Sequence, residues 1–173
     1  MTSADDFFME EAVAEATLGL ESGELPIGAV VVLGDDVVAR AHWRLAGRLL
    51  DHPELVALMD AERNGNVATA SDRRSATLYT TLEPCALCMS AAMSFLLGRV
   101  VFALESPSDG AANLPTLWRP ADGHPRPGAP PYAIPEVVGG VGRAKSLALV
   151  ERFLQEHAEA PIATWARTLL RSA

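Results

Sequence analysis

Ala76-Thr77-Leu78-Tyr79-Thr80-Thr81-Leu82-Glu83-Pro84-Cys85-Ala86-Leu87-Cys88 changes character halfway along. Its first part, Ala76 to Thr81, is β-branched and aromatic and reads as a strand. Pro84 then suits a helix start, because the N–H that proline lacks would be unpaired there anyway. Cys85 and Cys88, three apart, are expected on one face of the first turn, where the helix dipole favours thiolate. Upstream, His52-Pro53-Glu54 has the same form, with Pro53 opening a helix through Leu55-Val56-Ala57-Leu58-Met59. One imidazole and two thiolates make three ligands for a soft metal. These are the chain's two cysteines, so a further thiolate cannot close a tetrahedron. A catalytic zinc keeps that position for water, and Glu54, two residues after the His, is placed to serve it as a base.

Three other readings of these residues exist. A Cys-x-x-Cys pair can be a redox couple, but nothing around it resembles a thioredoxin pattern. Glu54 can be a fourth ligand to a structural zinc, or a first-turn acid that favours the helix dipole. The combination of one His with both Cys favours the catalytic metal reading.

The 173 residues, 49% apolar and 21% charged, fit one globular domain, 1–173, with a sizeable core. No apolar run reaches the roughly 18 residues of a membrane span. The start, Met1 to Asp6, lacks the features of a signal peptide, so a cytoplasmic location with reduced thiols is expected. Net charge is −8, from 22 acids and 14 bases, which argues against nucleic acid as a partner. Arg40, Arg44 and Arg48, Arg73-Arg74, and Arg143 with Lys145 are clusters without interleaved aromatics, and are read as solvated surface.

In order, residues 3–20 predict an amphipathic helix with Phe8, Ala12, Ala16 and Leu20 on one face. Ile27 to Leu33 is an apolar run expected of a strand buried on both faces, and Val37 to Trp43 reads as its hairpin partner across Gly34-Asp35-Asp36. Residues 44–51 read as a loop leading to His52. The helix from Pro53 should stop near Asn64-Gly65-Asn66. After the cysteine helix, running to Leu96, Gly98 breaks the pattern and Arg99 to Leu104 is a strand. Residues 105–135 hold eight of the twelve prolines and read as a long loop, a lid or pocket wall, with a helical turn near 113–118. Val137-Val138 is a short strand, 143–157 a helix, and 161–171 a terminal helix that can pack on its own domain or on another subunit. Strands alternating with helices argue for an α/β sandwich with a partly parallel sheet.

With these motifs placed, the chain resembles the cytidine-deaminase-like superfamily, nearest its tRNA adenosine deaminase and guanine deaminase branch. The likeness covers roughly Met9 to Ala112. It is carried by Leu25 to Val31, His52-Pro53-Glu54, Thr77 to Cys85 with Cys88, and Gly98 to Phe102. His-x-Glu followed by Pro-Cys-x-x-Cys is the zinc-deaminase signature. The resemblance implies a three-layer α/β/α sandwich around a five-stranded mixed sheet, Zn2+ on His52, Cys85 and Cys88, Glu54 as general acid–base, and a homodimer.

Three positions depart from the family pattern. Relatives place a small residue with a free N–H between the His and the Glu, whereas Pro53 has none to give. Trp43 stands where an Asn commonly touches the base or sugar. After the Phe102 strand, tRNA-acting relatives carry basic residues, whereas this chain has Glu105, Ser108 and Asp109. Trp43, Pro53 and Asp109 are therefore the candidate substrate contacts. The expected activity is hydrolytic deamination of a free nucleobase, nucleoside or similar amino-heterocycle. The alternatives are a tRNA adenosine deaminase and a non-catalytic zinc module of the same fold.

Overall fold

The computed structural model describes residues 3–44, 49–118 and 132–172. Arg48 and the middle of the proline-rich segment therefore lie outside the described residues.

Five strands make one sheet in the order β2-β1-β3-β4-β5. They are β1 (Gly28–Leu33), β2 (Asp36–His42), β3 (Ala76–Leu82), β4 (Arg99–Leu104) and β5 (Glu136–Val138). β1 runs antiparallel to both β2 and β3, while β3, β4 and β5 are parallel, so the sheet is mixed as expected. The helices are α1 (Ser3–Glu21), α2 (Pro53–Arg63), α3 (Ala70–Ser75), α4 (Ala86–Phe95), α5 (Leu114–Leu117), α6 (Arg143–Glu156) and α7 (Ala163–Leu169).

Strand side chains alternate between two faces. Ala29, Val31, Leu78 and Val100 pack against Ala57, Leu58 and Ala61 of α2 and Met89, Ala92 and Met93 of α4. Val30, Val32, Tyr79, Val101 and Ala103 face the other way, onto Phe8, Met9 and Ala12 of α1. Leu20, Leu82 and Leu104 continue that second layer onto Val150 and Phe153 of α6 and Ala166 and Leu169 of α7. This is the three-layer α/β/α sandwich. The terminal helix packs on its own chain, through Ala166 and Leu169.

Several boundaries differ from expectation for local reasons. Pro53 is the first residue of α2 behind the N-cap His52, as predicted. Pro84, by contrast, precedes the N-cap Cys85, so Cys88 lies within α4 and Cys85 just outside it. Helix α3 was not anticipated. It is fixed by a capping box, in which Thr69 Oγ1 accepts from Asp72 N at 3.1 Å and Asp72 Oδ2 accepts from Thr69 N at 2.9 Å. Gly98 does not end α4; Leu96 does, in the left-handed region with φ 70°. What Gly98 provides is close approach, since a Cβ there would lie 1.9 Å from the Arg74 carbonyl oxygen.

Asp5, only 1% exposed, anchors α1 to the sheet. It accepts from Tyr79 Oη at 3.1 Å and pairs with Arg99, whose Nη2 donates to Oδ2 at 3.2 Å. Burial, reinforced by the Asp5 charge, pushes the Tyr79 hydroxyl up to about 12, so it remains a donor through neutral pH. Removing the guanidinium strands a buried carboxylate. Arg99→Met is therefore expected to destabilise the fold by about 3 kcal/mol, read from the urea midpoint, with partial recovery in the Asp5→Asn/Arg99→Met double variant.

Candidate metal and catalytic site

The site lies beyond the C-terminal ends of β3 and β4, the usual place for chemistry in an α/β sheet. β3 delivers Leu82, Glu83, Pro84 and Cys85 to the start of α4, while α2 begins beside them. His52 Nδ1 lies 3.6 Å from Cys85 Sγ and 3.3 Å from Cys88 Sγ, and the two sulfurs are 3.5 Å apart. A tetrahedral zinc, with Zn–S about 2.3 Å and Zn–N about 2.0 Å, calls for S···S near 3.8 Å and N···S near 3.5 Å. The three atoms lie at those spacings, and the donor set is the one zinc takes. The residues present fit Zn2+.

Glu54 sits beside this group, 4% exposed. Its Oε1 accepts from Thr80 Oγ1 at 3.1 Å, and its Oε2 lies 3.5 Å from Cys88 Sγ. The carboxylate thus faces the sulfur and imidazole cluster rather than solvent. Nothing in the sequence singled out Thr80, although a threonine fully buried in an apolar strand is the kind of residue that needs a partner.

The protonation tendencies share one origin. The hydrogen bond to Cys85 raises the pKa of His52, opposed by partial burial and aided by the charges of Cys85, Glu54 and Asp109. Burial pushes the Glu54 carboxyl up. The bond from Cys88, helped by that to His52 and opposed by burial, holds Cys85 down to about 4. Cys88, hydrogen-bonded to the Cys85 sulfur, buried and near Glu54, is pushed up.

A cavity of about 340 Å³ opens onto this cluster. Its lining includes His52, Pro53, Glu54, Cys85, Trp43 and Asp109, so all three candidate substrate contacts reach it. The Trp43 ring lies 5.2 Å from that of His52, centroid to centroid. Leu25, Ile27, Leu82 and Glu83 also line it, as do Ile162 and Trp165 from the α7 region. Sequence reasoning missed Ile162 and Trp165 as cavity residues, having read the terminal helix for packing alone. Glu83 is spent on the loop after β4: its Oε2 accepts from Ser106 N at 3.0 Å and its Oε1 from Ala112 N at 2.9 Å.

The sequence profile of the cytidine and deoxycytidylate deaminase zinc-binding region matches residues 2–104, more than half of the chain. The chain belongs to that deaminase family. Among relatives of this chain, the tRNA-specific adenosine deaminase of Bacillus subtilis is 37% identical over 111 residues, 62% of this chain and 66% of that protein. The chain thus spans just under two thirds of that relative. The tRNA-specific adenosine deaminase of Agrobacterium fabrum is 30% identical over 154 residues, 86% of this chain and 93% of that one. Among solved structures, one from a study of A-to-I editing by tRNA:A34 deaminases superposes with a TM-score of 0.64 at 31% identity, covering 83% of this chain and 98% of that one.

Metal content tests the cluster directly. The purified protein is expected to hold about one zinc per chain, and Cys88→Ser or His52→Ala to lose it. Both are read by elemental analysis alongside circular dichroism.

Proposed function

We propose that this chain is a zinc-dependent hydrolytic deaminase that replaces an exocyclic amine on a nucleobase ring with a carbonyl, and that adenosine in tRNA is its first candidate substrate. The observation that carries the reaction is the buried Glu54 carboxylate beside the His52, Cys85 and Cys88 atoms, lining the same cavity of about 340 Å³. Zinc, when bound, lowers the pKa of water to about 7, supplying a nucleophile at neutral pH. Glu54 takes a proton from the attacking water while its oxygen bonds to the ring carbon that bears the amine. Glu54 passes that proton to the ring nitrogen, then takes the remaining proton of the newly formed hydroxyl and gives it to the amine; the C–N bond breaks, ammonia leaves and the carbonyl remains. Burial favours a protonated Glu54, which suits the donating half of this cycle. Thr80 keeps the carboxylate aimed at the cluster. A non-catalytic zinc module would need neither that carboxylate nor an open cavity.

The placing of tRNA ahead of free small molecules rests on the names of the relatives and reverses the order expected from net charge. Net charge is a sum, whereas affinity for a polyanion is local. Several of the bases are engaged by the chain's own acids: Arg40 with Glu11 at 2.6 Å, Arg73 with Glu62 at 2.8 Å, Arg143 with Glu105 and Lys145 with Glu10. Exposed pairs of this kind are worth only about 0–1 kcal/mol, so a phosphate backbone can displace them. The second reading, a free nucleobase or nucleoside, is supported by the cavity walls. Pro53 offers no N–H to the base, Trp43 offers a stacking surface and a single donor, and Ile162 and Trp165 also line the cavity. A homodimer is the assembly that this family reading expects.

Bulk tRNA and a panel of free aminopurines, aminopyrimidines and triazines separate the two readings. Inosine in digested tRNA is the expected result. Ammonia from the panel without inosine would put the second reading first, and silence in both with zinc bound would remove the enzyme. Glu54→Gln should keep its zinc and fold while turnover falls by about 10²–10⁴.

A further inference from the structure

The loop after β4 brings a carboxylate to the cavity with one of its oxygens already engaged. Ser106 Oγ donates to Asp109 Oδ1 at 2.5 Å, and Ser108 Oγ donates to the same oxygen at 3.0 Å. Trp165 Nε1 lies 3.0 Å from Ser108 Oγ. An indole N–H can only donate, and an ionised carboxylate can only accept. The direction of this relay is therefore fixed: Trp165 donates to Ser108, which donates to Asp109. Among the described residues no hydroxyl is spent on Asp109 Oδ2. The other carboxylate on this wall, Glu83, has both oxygens engaged by backbone N–H groups. Asp109 and Trp165 line the same cavity as His52, Glu54 and Trp43.

We propose that Asp109 is a substrate-reading acceptor, positioned from the C-terminal helix through Trp165 and Ser108. Its Oδ2 takes a hydrogen bond from an N–H or hydroxyl donor on the bound base or its sugar, while the Trp165 ring forms an apolar wall for that base. The inference rests on the deaminase reading of the same cavity. It makes α7 part of the substrate site and predicts selection for a ligand with a donor remote from the amine that reacts.

Three ligands separate the possible sources of that donor. In 9-methyladenine the amine facing the metal is the sole donor, 2,6-diamino-9-methylpurine adds one on the base edge, and adenosine adds sugar hydroxyls. Binding to the zinc-loaded full chain is measured by calorimetry, with zinc content and circular dichroism as controls for folding. Asp109→Ala is expected to weaken one of the two donor-bearing ligands about tenfold, a change typical of one lost hydrogen bond, and to leave 9-methyladenine within about twofold. Loss confined to the diaminopurine assigns the donor to the base, and loss confined to adenosine assigns it to the sugar. Trp165→Phe keeps the wall but removes the N–H, and should reproduce a smaller loss, about threefold, for the same ligand. Equal affinities for all three ligands in Asp109→Ala and the parent would overturn the proposal, as would a uniform loss across them or no binding to the parent. Selective binding without ammonia release would leave the inference standing and remove the deaminase reading instead.

Discussion

Two helix N-termini meeting at the end of one parallel strand are the constraint on which the site depends. His52 caps α2 and Cys85 caps α4, and the strand β3 fixes the second helix against the first. Because both residues are caps, neither follows helical rotation, and the three donor atoms can close to 3.3–3.6 Å. The sheet makes this possible by being buried on both faces. α2 and α4 pack on one side through small residues such as Ala57, Ala61 and Ala92, which let the two helices approach the strands closely. The opposite layer, α1 with α6 and α7, leaves the strand ends free to carry loops.

Much of this was legible because the signals are local. Pro53 and Pro84 punctuate the two helix starts, and the apolar alternation of β1, β3 and β4 needs only neighbouring residues to be read. The strand order is less local, but the alternation of strand and helix already limited it to a partly parallel sheet. Glu54 was legible for the same reason, being two residues from His52.

What escaped the sequence depends on distant partners. Thr80 and Glu54 are 26 residues apart, and Ser108 and Trp165 are 57 apart. No periodicity encodes such pairs. The terminal helix carried an apolar face that any surface could have covered, so its packing on α6 and β4, and the arrival of Trp165 at the cavity, required the fold. Helix α3 was different: Thr69 and Asp72 carried a local signal, weakened by a segment of only six residues with no buried side chain.

The departures at Pro53 and Trp43 bear on how polarity is distributed across the cavity. In the family pattern that the sequence resembles, the metal side offers a backbone N–H and a nearby Asn; here those positions hold a ring without an N–H and an indole. A cavity that has lost polar groups on one wall binds its ligand by apolar contact there, which fixes the plane of a ring but not its rotation within that plane. Orientation then has to come from other groups of the lining, among them the loop after β4, which Glu83 holds through the backbone N–H groups of Ser106 and Ala112. A Cβ at Gly110 would lie 2.2 Å from Glu83 Oε2, so this loop tolerates no larger residue at that point without moving. The loop that supplies direction is itself held at both sides, tied to the end of β3 by Glu83 and to the terminal helix by Trp165.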